Sequence, residues 1–468
     1  MGNSASALEP SAVDLLIVHT IIVTMDADRR VITDGALAVS ADRIVAVGKT
    51  TELQTIYQAR ETIDGSRFVL TPGLVNAHIH VTGEPLTRGY APDDISFKEL
   101  IGVWLARAHK ASGEDDERLG AQFSALEMLR TGTTCFLDAG TNHHIDAVAD
   151  GMLSMGIRGR IAQFARDNPG SPSATPVDPL LRQMEAHLDR YPPGPDKRIA
   201  AWPILSGRHN ISDALWQGAK HLADTRGLGM SFHMSPIPSD PEWFIEHHGR
   251  RPVEHLAELG VLGRNVALTH AVHVDANEVA LLAQAHATVI HCPMTALRGA
   301  YGATSVGLFP EMVQQGVNLA LGSDGSNDSN AHDLHRACFL VAGLFKDARQ
   351  DPTIFPAGEA YAMATLNGAR ALLMEDEIGA IVPGRKADFV LHDTWRPEWR
   401  PLFDVANQLV WSADGRGVHS VWVDGVRVID NFHPTMVDEE RLLAQVQEAG
   451  DAIVARMDLP SRAKWPVV

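Results

Sequence analysis

Short apolar runs are spaced in two different patterns along this chain of 468 residues. Near the start, at 15–18, 21–24, 36–39 and 44–47, four-residue apolar runs are separated by Asp, Gly and Arg, a pattern typical of antiparallel strands. The pattern returns at 379–391 and 418–429, the second run with an Asp424-Gly425 hairpin turn. We therefore expect the two ends of the chain to pair and form one small β-sandwich domain.

Between these ends the rhythm changes to strand followed by helix. Eight apolar runs, each followed by helical apolar spacing, lie at 69–80, 133–138, 157–164, 199–205, 229–233, 266–270, 287–291 and 317–324. This alternation predicts an α/β fold in which a (β/α)8 TIM barrel is inserted into the small β-sandwich. The predicted domains are residues 1–68 and 377–468 for the β-sandwich, with a C-terminal helix, and residues 69–376 for the barrel.

Composition narrows the class of protein. With 45% hydrophobic residues and a net charge of −18, the chain has the balance of a globular enzyme and lacks the basic patches of nucleic-acid or anionic-membrane binders. No apolar run approaches the ~20 residues that cross a bilayer. The N-terminus shows no signal-peptide pattern, and the three cysteines have no Cys-x-x-Cys spacing. We expect a cytoplasmic protein without membrane or nucleic-acid partners.

Metal-capable residues fall where the predicted barrel strands end. They are His78 and His80 on the first strand, His233 on the fifth, His270 on the sixth, His291 on the seventh and Asp324 on the eighth. Active sites of parallel barrels form at the carboxyl ends of the strands, and residues two apart on a strand point the same way. Each residue alone is explained by a core hydrogen bond or a turn, but together they predict a metal site.

Imidazole and carboxylate ligands suit zinc or cobalt, and iron or manganese as further choices. We expect one divalent ion per subunit, whose bound hydroxide attacks a small-molecule substrate. Asp324 is placed to bind the ion and to accept the proton of the water. His270 is a second catalytic candidate, either as a further metal ligand or as a partner of the developing oxyanion.

The motifs resemble those of the amidohydrolase superfamily. The similar segments are Pro72–His80, Leu268–His273, Val289–Pro293, Leu321–Gly325 and the Gly379–Asp388 stretch. The chain is most similar to the branch of triazine hydrolases and guanine- or adenosine-type deaminases, and within the superfamily it also resembles thiocarbamate and phenylurea hydrolases. The resemblance implies a single metal held by His78, His80, His233 and Asp324 with His270 nearby, and a homo-oligomer, dimer or tetramer.

One departure from that branch bears on the substrate. Its deaminases carry His-x-x-Glu after the fifth strand, whereas this chain has His233-Met-Ser-Pro236, with Asp240 and Glu242 further along. The change points to carbonyl C–N or C–S bonds of an amide, carbamate, thiocarbamate or urea, such as a herbicide. The alternative is a deaminase or dechlorinase of a nitrogen heterocycle, and a non-catalytic scaffold is the least favoured reading.

Three residues are candidates for substrate contacts. Trp104 and His143 lie on segments that could cover the barrel mouth, and His291 ends the seventh strand. Each is also explained by packing alone.

Overall fold

The computed structural model describes residues 10–172, 174–459 and 465. The two ends of the chain pair in one nine-stranded sheet. Its strands are β1 (Ser11–Val23), β2 (Val31–Ser40), β3 (Arg43–Lys49), β4 (Tyr57–Asp64), β5 (Phe68–Pro72), β16 (Phe389–Asp393), β17 (Val418–Val423), β18 (Val426–Asp430) and β19 (His433–Pro434). Their order is β19-β18-β17-β16-β5-β1-β2-β3, with β4 beside β1.

The expected pairing of the chain ends is present. The strand β16 runs antiparallel to β5, with Val390 opposite Thr71, and so joins the C-terminal strands to the N-terminal ones. The rings of Phe389 and Trp422 stack with centroids 4.6 Å apart on neighbouring strands. Burial of such aromatic pairs stabilises a sheet beyond its hydrogen bonds. The two-layered packing of a sandwich stays a prediction from the sequence.

The segment between these ends forms an α/β domain of the TIM-barrel-like type. Its strands are β6 (Leu74–His80), β7 (Thr133–Asp138), β8 (Arg158–Ile161), β9 (Ile199–Ala201), β10 (Ile204–Gly207), β11 (Met230–Met234), β12 (Val266–His270), β13 (Thr288–His291), β14 (Asn318–Leu321) and β15 (Asp324–Gly325). They form two parallel sheets, β10-β11-β12-β13-β14 and β15-β6-β7-β8-β9. Because Asp324 pairs with Ile79, the last strand position lies beside the first.

Helices follow most of these strands, and buried apolar side chains fill the space between. They are α1 (Thr50–Ile56), α2 (Phe97–Glu99), α3 (Ala106–Ala111), α4 (Glu114–Arg130), α5 (Ile145–Met155), α6 (Val177–Arg190), α7 (Asp213–Arg226), α8 (Ser239–His248), α9 (Pro252–Glu258), α10 (Ala276–Gln284), α11 (Pro293–Arg298), α12 (Phe309–Gln314), α13 (Leu334–Arg349), α14 (Ala357–Met363), α15 (Leu366–Ala371), α16 (Val405–Asn407) and α17 (Glu439–Met457). Short 3-10 turns lie at Pro85–Thr87, Arg208–Asn210, Pro397–Trp399 and Gly415–Gly417, and π turns at Leu100–Leu105 and Gln408–Ser412. Within the described residues, none of the helices combines the length and apolarity that crossing a membrane requires.

The strand expected at 69–80 is divided at Gly73. Phe68–Pro72 belongs to the nine-stranded sheet, and only Leu74–His80 belongs to the α/β domain. At this crossing the backbone passes so close to β7 that a Cβ on Gly73 would lie 2.0 Å from Thr134 Oγ1. A residue without a side chain therefore allows the chain to pass from one sheet to the other.

A buried ion-pair network joins the two parts. The guanidinium of Arg158, on β8, donates to both carboxylate oxygens of Asp388 at 3.0 and 3.1 Å and also to Asp424. Arg158 is 2% exposed, so each lost contact would leave a charge without solvent. This network fixes the position of the α/β domain against the C-terminal strands.

Candidate metal centre

Four side chains from the ends of two strands and from the short strand at Asp324 meet at one point. The ligand atoms of His78, His80, His233 and Asp324 all lie within 4.8 Å of one another. Asp324 Oδ1 lies 3.4 Å from His78 Nε2 and 3.2 Å from His80 Nε2, and His233 Nε2 lies 3.3 Å from His80 Nε2. The parallel strands bring their carboxyl ends to this edge, which is why residues up to 246 positions apart converge.

Hydrogen bonds on the outer side of each ring orient the imidazoles. His233 Nδ1 lies 3.0 Å from the carbonyl oxygen of Ser206, which can only accept, so Nδ1 carries the proton. Its Nε2 therefore presents a lone pair to the centre. Thr141 Oγ1 lies 2.9 Å from His80 Nδ1, and Thr269 Oγ1 lies 3.0 Å from His78 Nδ1. Such outer partners are what hold metal-binding histidines in place.

The donor set fits a divalent metal ion. His78 Nε2 is buried and has no hydrogen-bond partner among the described residues, although it faces the centre. Burial and then the neighbouring imidazoles hold the pKa of His233 well below its usual value, so this ring is in the neutral form that binds metals. Burial opposes protonation of His80, but Glu84 and Asp324 outweigh it and raise its pKa to about 9. The carboxylates around the metal centre therefore stabilise positive charge there, as a bound cation requires.

His270 lies beside this set. Its Nε2 is 3.7 Å from Asp324 Oδ2, and burial lowers its pKa to about 4 although Asp324 opposes the shift. Both residues have positive backbone φ angles, 80° for His270 and 63° for Asp324. Such angles are uncommon outside glycine and concentrate at functional sites. The strained turns aim both side chains into the same space.

The centre opens into a cavity of about 740 Å³. Its wall combines the aromatic rings of Phe97, Phe164 and Tyr301 with polar groups from several loops. A cavity of this size takes a small organic molecule, and its aromatic rings offer flat apolar surface for contact.

Two further carboxyl groups, Glu84 and Asp328, also line the cavity. They are 0% and 6% exposed, and Glu84 Oε1 and Asp328 Oδ1 have no hydrogen-bond partner among the described residues. Glu84 Oε1 lies 3.5 Å from His80 Nδ1 and 3.7 Å from His109 Nε2. Burial, followed by the charges of Glu84 and Asp324, raises the pKa of Asp328 well above its usual value. The protonated form of Asp328 is therefore favoured relative to that of an exposed carboxyl group.

The sequence did not single out these two acids. Each lies four residues after a predicted ligand, His80 or Asp324, on irregular backbone between elements. Their only signal is this closeness to the ligands along the chain. No apolar period marks such positions.

The remaining candidates lie in different places. His143 lines the cavity, is largely exposed, and contacts Glu117 at 3.2 Å through Nδ1. Trp104 is buried against Tyr90 and does not line the cavity. His291 packs on Phe309 with ring centroids 4.1 Å apart and is also absent from the cavity wall. Trp104 and His291 are not part of the site proposed below.

The segment after the fifth strand places proline in the cavity wall. Pro236 lines the cavity, so no carboxylate stands there. Asp240 is instead held by Arg208, whose Nε lies 2.8 Å from each carboxylate oxygen, and Glu242 is exposed. Neither of these acids faces the metal centre. Arg208 itself lines the cavity.

Comparison with known proteins defines the class. The model of the amidohydrolase family matches residues 69–428, and the chain belongs to this family. It is therefore a hydrolase, and the deaminases among its relatives act on C–N bonds. The superfamily expected from the motifs is confirmed.

The relatives bear on the substrate class. A 5-methylthioadenosine/S-adenosylhomocysteine deaminase of Syntrophobacter fumaroxidans is 32% identical over 437 residues, 93% of this chain and 98% of that protein. The structure is similar to an adenosine deaminase from Xanthomonas campestris with bound zinc, with a TM-score of 0.88, 28% identity, and coverage of 95% of this chain and 100% of that one. It also resembles the zinc complex of an atrazine chlorohydrolase from Arthrobacter aurescens TC1, with a TM-score of 0.85 at 24% identity, covering 93% and 100%. This last likeness concerns the fold alone. These relatives give no support to the narrower thiocarbamate or phenylurea expectation, or to C–S cleavage.

Proposed function

We propose that this protein is a metal-dependent hydrolase that removes an amino group from a nitrogen heterocycle, an adenine-type ring being the favoured substrate class. The observation that carries the proposal is the convergence of His78, His80, His233 and Asp324 at the floor of an aromatic-walled cavity. The full-length similarity to deaminases of adenine nucleosides supports the same substrate class. We therefore favour deamination of a nitrogen heterocycle over hydrolysis of a carbonyl substrate, which was the main expectation from the sequence.

In this proposal the four converging residues hold one divalent ion, with zinc or cobalt favoured by the ligand types. When bound, such an ion lowers the pKa of water and polarises the carbon under attack. Asp324 accepts the proton of the attacking water, because its carboxylate lies at the centre and is kept ionised by the surrounding imidazoles. His270, held neutral, hydrogen-bonds the oxygen that is added to the ring.

Hydrolytic deamination also needs a proton donor for the ring nitrogen and the leaving ammonia. The deaminase-type glutamate is replaced by Pro236, and we assign this role to Asp328, a buried acid that also lines the cavity. Burial and the neighbouring carboxylates raise the pKa of Asp328, which favours the protonated form that a proton donor needs. Overall, one water is consumed, the exocyclic C–N bond breaks, and ammonia leaves with the oxygenated ring as the second product.

A second candidate is hydrolysis of an open-chain amide, carbamate or urea, and Pro236 is the observation that favours it. A carbonyl substrate has no ring nitrogen to protonate, so a site without the glutamate after His233 suffices for it. The attacking water and Asp324 would serve in the same way, and an amine would leave in place of ammonia.

Product analysis separates the two candidates. Zinc- or cobalt-loaded protein is incubated with adenosine, 5-methylthioadenosine, S-adenosylhomocysteine, a phenylurea and an anilide, and ammonia and amines are quantified. Ammonia and an oxygenated purine from a nucleoside support the main proposal. Aniline release without nucleoside turnover would overturn it in favour of the second candidate, and Asp324→Asn is the inactive control for both.

A further inference from the structure

A second group of metal-capable side chains lies apart from the cavity, where three helices meet. It consists of Asp213, the first residue of α7, His248, the last residue of α8, and His255 within α9. One ligand atom from each lies within 4.8 Å of the other two. None of the three lines the cavity described above.

The local geometry brings the two imidazoles into contact. The ring centroids of His248 and His255 are 3.9 Å apart, and His255 Nε2 lies 2.7 Å from Asp213 Oδ1. The ring of Phe244 packs against both imidazoles, at 5.4 and 5.7 Å between centroids. One side of the group is thus closed by an aromatic residue, while the half-exposed Asp213 leaves the other side open to solvent.

Helix α8 ends at His248 because of the residue that follows it. Gly249 takes a φ of 71°, the left-handed conformation that stops a helix, and the chain turns into α9 at Pro252. This turn folds α9 back so that His255 faces the last residue of α8. Asp213 begins α7 after its N-cap Ser212. The start of α7, the end of α8 and the first turn of α9 therefore hold the three side chains together.

We propose that Asp213, His248 and His255 form a second metal site, distinct from the catalytic centre, that takes a borderline divalent ion such as Zn²⁺, Ni²⁺ or Cu²⁺. Two imidazoles and a carboxylate are the ligand types these ions prefer. Neighbouring ligands of one tetrahedral zinc ion lie about 3.4 Å apart. The ligand atoms of the group, all within 4.8 Å of one another, lie close to that spacing. Water fills the remaining positions on the exposed side.

The geometry of the group suits a cation. The imidazole rings of His248 and His255 and the carboxylate of Asp213 lie close enough for a single ion to contact all three side chains. The plain structural alternative is an Asp213–His255 ion pair that binds no metal.

A metal ion bound at this second site would stabilise helix α8, which also supports the wall of the cavity. The helix α8 carries Asp240, which holds Arg208 in the cavity wall. A metal bound at the other end of α8 links this helix to α7 and α9. The expected consequence is a higher thermal midpoint when the second ion is bound.

The test uses the full-length protein with its first metal equivalent in place. Cu²⁺ or Zn²⁺ is titrated by calorimetry, with metal content measured after gel filtration, for the wild type and for His248→Ala, Asp213→Asn and His247→Ala. The matched control is His247, an exposed neighbour that stacks on Trp243 with ring centroids 4.2 Å apart and does not belong to the group. We expect two equivalents per chain in the wild type and in His247→Ala. We expect affinity for the second to fall about tenfold or more in His248→Ala and Asp213→Asn.

Copper adds a spectroscopic readout. Electron paramagnetic resonance of the second Cu²⁺ equivalent should show two nitrogen ligands, reduced to one in His248→Ala. Because His248 is at the end of its helix, this variant keeps the fold, which circular dichroism checks. A wild type that binds one equivalent only, or a second equivalent that is unchanged in His248→Ala, would overturn the second site.

Discussion

Arg208 and Asp240 form a two-point ion pair at the wall of the cavity, with the Arg208 Nε 2.8 Å from both carboxylate oxygens. Asp240 is fully buried, and Arg208 is largely so. Asp240, which follows the fifth strand, therefore holds the guanidinium of Arg208 at the cavity wall. It does not face the metal centre.

Asp240→Asn should weaken both stability and substrate binding. The amide keeps the size of the side chain but leaves the buried guanidinium without a countercharge, which costs about 3 kcal/mol of unfolding free energy. We expect a higher KM with a smaller change in kcat, because Arg208 loses its fixed position. Urea unfolding and steady-state kinetics measure both effects. Glu242→Gln, an exposed neighbour, is the control, and equal behaviour of the two variants would contradict the role of the pair.

Arg158→Met should destabilise the protein by about 3 kcal/mol, because the buried Asp388 would lose its charged partner. Of its charged partners among the described residues, Asp424 would keep only Arg198 and Lys386. Burial opposes ionisation of Asp424, but Arg158 outweighs it and lowers the pKa of this carboxyl. A lowered folded-state pKa contributes stability above the unfolded value of about 4, and this is lost as the pH falls through the folded pKa.

The difference in unfolding free energy between wild type and Arg158→Met should therefore be large at pH 7 and shrink below about pH 4. Chemical unfolding across this pH range measures it. The exposed Arg182→Met serves as control and should stay within about 0.5 kcal/mol of the wild type. A difference that does not vary with pH would argue against the ion pair as its source.

Thr269→Val should weaken metal binding about tenfold or more without disturbing the fold. The change removes the hydroxyl that contacts His78 Nδ1 at 3.0 Å and keeps the shape of the side chain. Competition with a chelator measures the affinity. Thr134→Val is the matched control, because Thr134 is also buried on a strand and its hydroxyl has no partner among the described residues. Equal losses in both variants would point to a packing effect.

Asp328→Asn should lower kcat/KM for a nucleoside about 10²-fold while metal content stays unchanged. The amide cannot release a proton to the ring nitrogen, although it fills the same space. The exposed Asp347→Asn is the control. An unchanged rate of ammonia release in Asp328→Asn would remove this residue from the proton pathway and leave the second candidate substrate class in the stronger position.

Much of the architecture could be predicted from the chain. Short β-rich runs separated by polar turns marked the pairing ends, and strand-helix alternation marked the segment between them. The ligands were found because parallel strands bring their carboxyl ends to one edge, so that His78, His233 and Asp324 had to be neighbours. The division at Gly73 was missed although Pro72-Gly73 interrupts the apolar run, because apolar residues on both sides of this turn suit a strand.

Site residues on irregular backbone could not be predicted from the pattern of apolar positions. Glu84 and Asp328 lie in turns whose course depends on tertiary contacts. Trp104 was expected near the cavity, but its helical run contains a π turn at Leu100–Leu105, which rotates the faces that follow. Ile101 and Leu105 line the cavity instead, while Trp104 faces Tyr90.

The central claim is that one metal ion held by the four converging side chains, together with Asp324 as the proton acceptor, performs deamination. The most direct measurement is ammonia release from an adenine nucleoside by the metal-loaded wild type, the chelated protein and Asp324→Asn, with metal content determined for each. We predict turnover by the wild type, loss on chelation with recovery on adding zinc or cobalt, and a decrease of about 10³-fold in Asp324→Asn. Turnover that survives chelation, or near-wild-type turnover in Asp324→Asn, would contradict the account.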